Sequence, residues 1–132
     1  RLRQRRLPIE EATAEVQAFA EGLEGEARKR RLTLLFAGLF QTMNAERTEI
    51  MKGIGRYARR QKARAEEIRQ EAAKIDAAPE NEVSQEQRDK LLWDQRVFEE
   101  RRRSLPFVCE APRHVEQRLF ALGREIAKAI GS

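Results

Sequence analysis

An all-α fold is what this sequence predicts, and three observations carry that expectation. Apolar side chains recur at alternating steps of three and four residues along most of the chain, the spacing that lines one face of a helix. Glycine and proline are scarce, 7 and 4 among 132 residues, and Thr and Val, which favour strands, are sparse. One periodic run extends from Phe36 to Ile75 with no proline before Pro79, so one helix is far longer than the others. The expected architecture is an elongated antiparallel helical hairpin with one very long central helix. A three-helix bundle forms one end and a two-helix arm the other, within a single domain over 1–132.

The first helix is expected over about 9–22. Ile9, Ala12, Val16, Phe19 and Leu23 share a face. Pro8 suits the first turn, where its missing N–H has no partner to lose, and Glu10 and Glu11 sit at the positive end of the helix dipole. Gly22 and Gly25 interrupt the pattern. The central helix is expected over about 26–77. Its stripe runs through Phe36, Phe40, Met43, Arg47, Ile50, Ile54, Tyr57, Gln61, Arg64, Ile68, Ala72 and Ile75. At 1.5 Å per residue it is on the order of 75 Å long. Something must run back along such a helix, or a second copy must cover it, because an isolated stripe buries nothing.

The return path starts after Ala77, Ala78, Pro79, Glu80 and Asn81. Ser84 followed by Gln87 reads as a capping box opening a helix over about 84–104. Pro106 and Pro112 are expected to bracket a broken segment, after which Val115, Leu119, Leu122, Ile126 and Ala129 define a last helix over about 112–130. Folding the chain about residue 80 lays the proline break opposite Gly53 and Gly55. It sets 57–77 against 84–104, with Ile54 on the buried seam, and 32–52 against the last helix. The first helix returns over that second half, where Phe19, Phe36, Phe40, Phe107 and Phe120 also fall.

A charged fraction of 37% and a mean hydropathy of −0.75 exclude a membrane-embedded body. The longest apolar run, 32–43, falls short of the roughly 20 residues a spanning helix needs. One Cys and one His leave little room for thiol, triad or metal chemistry. Cys109, Glu110 and His114 are the only candidates for a metal, and no second Cys or His closes a four-ligand site, so none is expected. No glycine-rich phosphate loop and no Glu-x-x-His arrangement is present. The chain is therefore read as non-enzymatic, with no cofactor and no small-molecule substrate.

The function expected is protein–protein interaction or oligomerisation through an apolar helix face. The residues assigned to that face are Leu32, Leu35, Phe36, Leu39, Phe40 and Met43, with Leu119, Leu122 and Ile126 of the last helix. The partner is another protein or a second copy. An alternative follows from the charge, 27 Lys plus Arg against 22 Asp plus Glu. Residues 47–64 hold seven bases against one acid. Lys52, Arg56, Arg59 and Arg60, joined by Arg101, Arg102 and Arg103, form a basic collar suited to nucleic acid or an anionic lipid surface. Only Tyr57 accompanies it as a base-stacking platform, and no known DNA-docking motif is present. A third reading rests on Arg1 in place of Met and on the bases Arg1, Arg3, Arg5 and Arg6. These suit a soluble fragment of a longer chain, cytoplasmic or periplasmic, such as the envelope-side sensor or adaptor domain of a membrane-anchored protein.

Overall fold

Helix makes up 89% of the described residues, in three α-helices and a short 3₁₀ turn, with no strand among them. The structure is a computed structural model and describes residues 1–131; Ser132 lies outside the described residues. Helix α1 is Ile9–Glu21, α2 is Gly25–Ala77 and α3 is Gln85–Gly131, with a short 3₁₀ turn at Glu80–Glu82 before α3. The long central helix read from the periodicity is present as α2, uninterrupted over 53 residues.

The three helices open in different ways, and α1 does so with no side-chain cap on its open N–H groups. The Pro8 carbonyl accepts the Ala12 N–H at 3.0 Å to open α1. Gly25 turns the chain into α2 with φ at +57°, a left-handed backbone that glycine takes without a Cβ clash. The capping box at the start of α3 forms as the sequence predicts. The Ser84 Oγ accepts the Gln87 N–H at 3.1 Å, and the Gln87 Oε1 accepts the Ser84 N–H at 2.8 Å. Inside α2, the hydroxyls of Thr33, Thr42 and Thr48 donate to the carbonyls of Lys29, Gly38 and Asn44 one turn back. That bond is how a helix tolerates these side chains.

The break expected at Pro106 and Pro112 does not occur, and α3 continues through both prolines. Each proline removes one N–H, so the carbonyls of Arg102 and Val108 lose their intrahelical donor. Both of those residues are exposed, which leaves the carbonyls within reach of water. Helical segments with periodic apolar faces flank the prolines on both sides, and their packing outweighs the local penalty.

The chain divides into two compact units. Unit 1 combines Arg1–Met51 with the chain from Glu110 onward, and unit 2 is Lys52–Cys109. Along the sequence, one boundary falls beside Gly53 and Gly55 and the other between the two prolines.

Unit 1 holds the buried core. Leu7 precedes α1; Ala12, Val16 and Ala20 come from α1; Leu32, Leu39 and Met43 from α2; Val115, Leu122, Ile126 and Ala129 from α3. Fully burying a residue such as Leu32, Met43 or Leu122 contributes about 1.5–3 kcal/mol. Phe19, Phe36, Phe40 and Phe120 stay outside this core. The buried side chains of this core are alanine, other aliphatics and Met43.

One charged residue is buried with them. Arg118, 8% exposed, donates its Nε to the Leu2 carbonyl at 2.9 Å and its Nη1 to the Leu7 carbonyl at 2.8 Å. It thereby fixes the N-terminal segment against α3. Burial pushes the Arg118 pKa down, opposed by the nearby Glu46 carboxylate.

In unit 2, no described residue is fully buried. The Tyr57 hydroxyl donates to the Arg101 carbonyl at 2.7 Å, the Gln61 amide to the Phe98 carbonyl at 3.3 Å, and the Lys90 ammonium to Glu71 at 3.3 Å. Positions rise along α2 as their partners fall along α3. Ile54, expected on a buried seam, is half-buried, since two helices alone leave one flank of every seam residue in water. Phe107, placed in the three-helix part by the hairpin symmetry, belongs to unit 2 and is 81% exposed.

Candidate functional site

On unit 1, α2 and α3 together form an apolar groove of about 450 Å³. Phe36 and Phe40 line it from α2, and Leu119, Phe120, Gly123 and Ala127 line it from α3, with Glu116 and Arg124 at its margins. Phe36 and Phe40 are one helical turn apart, with ring centroids at 6.3 Å and a 36° tilt. Gly123 is what lets the Phe36 ring lie down on α3. A Cβ there would stand 3.0 Å from Phe36 Cε2, tight enough to displace the ring. Phe36, Phe40 and Phe120 remain 39%, 48% and 65% exposed. Arg124 places its guanidinium 4.8 Å from the Phe120 centroid, a cation–π contact that holds one wall upright. Glu116 pairs with Arg47 on α2.

The nine side chains assigned to the apolar face divide in two. Leu32, Leu39, Met43, Leu122 and Ile126 belong to the chain's own core. Leu35 and Leu119 are half-buried against that core, and Phe36 and Phe40 stand on the groove. Periodicity names a helix face but does not separate the stripe turned inward from the flank beside it. Phe120, Gly123, Glu116 and Arg124 were not assigned to the face. The signal available was an aromatic at position 120 with an acid four residues before and a base four residues after. Leu34, inside the apolar stretch 32–43, is 64% exposed, and Leu92 and Trp93, outside the assigned face, are each 63% exposed.

The basic collar lies in unit 2, and the Tyr57 bond to the Arg101 carbonyl brings its two strings onto neighbouring turns. Lys52, Arg56, Arg59, Arg60, Arg101, Arg102 and Arg103 are all exposed. Part of the charge is already matched. Glu99 lies 2.6 Å from Arg102 and 3.8 Å from Arg103, and the hydrogen bond from Arg102 holds the Glu99 carboxyl below its usual range. The Arg56 and Arg59 guanidinium groups fold back over the open backbone at Gly53 and Gly55. Tyr57 is half-buried and bonded through its hydroxyl.

Cys109, Glu110 and His114 are exposed. Among the described residues no group of three His, Cys, Asp or Glu side chains converges to hold a metal. On a continuous helix the five-residue step from Cys109 to His114 turns the two side chains well apart. Of the four N-terminal arginines, Arg1 pairs with Glu15 and Arg5 lies 3.7 Å from Glu46. Among the described residues no helix is long and apolar enough to cross a membrane.

Comparison with family models, curated proteins and solved structures finds no match.

Proposed function

We propose that this chain is a non-catalytic helical module that associates with a second copy of itself through the groove between α2 and α3 of unit 1. The observation that carries this reading is that the aliphatic core of unit 1 closes without Phe36, Phe40 and Phe120, which remain exposed side by side on one face. Contiguous exposed aromatics of this kind mark an association surface. Burying rings is also the largest apolar gain available to the unit. Charges of both signs at the margins favour a partner carrying both, which another copy of the chain does.

The contacts within each unit support reading unit 1 as a three-helix bundle and unit 2 as a two-helix antiparallel arm. The basic string of unit 2 is secondary in this reading, because Glu99 matches part of its charge and Tyr57 is tied to the backbone.

Sedimentation equilibrium across a wide concentration range tests the proposal. The expected mass approaches twice 15.4 kDa as concentration rises. The Phe120→Asp variant stays at the single-chain mass with unchanged helicity, since its ring lies outside the core. A wild-type mass of one chain at every concentration overturns the reading.

A further inference from the structure

Resting on that reading of the groove, we infer that the two copies meet with their α3 helices antiparallel about a two-fold axis passing by Phe120. In this register Glu116 of each copy lies level with Arg124 of the other.

The inference comes from the charge pattern on the exposed face of α3. Glu116, Phe120 and Arg124 are spaced by four residues and all three are exposed. Acid and base therefore stand about 6 Å to either side of the ring along the helix axis. A two-fold axis at Phe120 exchanges those two levels, so one antiparallel placement sets both acids opposite both bases. An isologous interface must be self-complementary in this way. A parallel placement instead sets Glu116 against Glu116 and Arg124 against Arg124.

The remaining face agrees with the same centre. Gln117 falls level with Gly123, and Arg113 level with Ala127, so no third charge opposes the pair. Lys128, one turn beyond Arg124, lies 3.4 Å from Glu125 on its own helix. The Glu116 bond to Arg47 uses Oε1, and a carboxylate accepts from more than one donor. The apolar surface of Phe40 and of the Phe36 ring that covers Gly123 lies beside this axis. It provides the low-polarity floor that a facing Phe120 needs.

Charge reversal with mixing tests the register, read as the dimer dissociation constant. Glu116→Arg and Arg124→Glu each set like charges at two symmetric places, and each is expected to weaken self-association on the order of tenfold. The double variant E116R/R124E returns to within about threefold of wild type, and so does an equimolar mixture of the two single variants. Should E116R melt below wild type through loss of the Arg47 pair, R47E/E116R keeps that pair with its signs reversed and replaces it in the series.

Single variants that dimerise like wild type, with a mixture tighter than wild type, overturn the antiparallel register in favour of a parallel one. Indifference to every reversal in a wild type that does dimerise overturns the pairing while leaving self-association standing. A monomeric wild type overturns both.

Discussion

Arg118 shows how a single side chain carries structure that periodicity does not announce. Its neighbours Val115 and Leu122 are on the apolar stripe, yet the stripe as read from spacing continues through Leu119, which is only half-buried. The guanidinium is instead turned inward, where the carbonyls of Leu2 and Leu7 accept its protons. Those acceptors belong to a segment with no helical repeat and lie more than a hundred positions away, so nothing local in the sequence points to them. A buried guanidinium is tolerable only while such partners remain. Replacing it with Ala leaves two carbonyls without donors and opens a cavity. Arg118→Ala should therefore destabilise the protein by about 2–4 kcal/mol in urea unfolding. Arg113→Ala, at an exposed position five residues earlier, should stay within about 0.5 kcal/mol. Equal effects from the two substitutions would contradict the clamp.

Among the elements, those with a strong local signal were legible and those decided by competition were not. The 53-residue α2 follows from unbroken spacing and the absence of proline. The start of α3 follows from Ser84 and Gln87, whose reciprocal bonds form as read. The continuation of α3 through Pro106 and Pro112 was not legible, because a proline's local penalty is visible in a sequence and the packing that outweighs it is not. That penalty persists in the native helix. Pro106 is exposed and contributes little packing, so Pro106→Ala restores the donor for the Arg102 carbonyl at almost no loss. It should raise stability by up to about 3 kcal/mol with no fall in helicity, measured by circular dichroism through a thermal melt. A lower melting temperature would mean that the ring stabilises α3 by some contact other than helix geometry. Pro112, buried beside Val115, gives up packing when truncated, and the same replacement there gains less.

For the molecule as a whole, the informative contrast lies between two kinds of surface. Unit 1 has a filled aliphatic core and an aromatic face outside it; unit 2 has a half-buried seam and no fully buried residue. The sequence indicated which stretches of α2 and α3 are most apolar, and Phe36 and Phe40 were found that way. It did not separate inward stripe from outward flank, because in a helix bordered on two sides both are apolar at the same spacing. Phe120, next to Leu119 on α3, stands on that outward flank and lines the groove.

Hydroxyl-radical footprinting of the aromatic side chains at low and high protein concentration tests the association face most directly. Phe36, Phe40 and Phe120 should lose reactivity as concentration rises. Trp93 and Phe107, 63% and 81% exposed on unit 2, should react alike at both concentrations and serve as internal controls. Protection of Trp93 and Phe107 with Phe120 unchanged would move the interface away from the α2–α3 groove and contradict the function proposed for it.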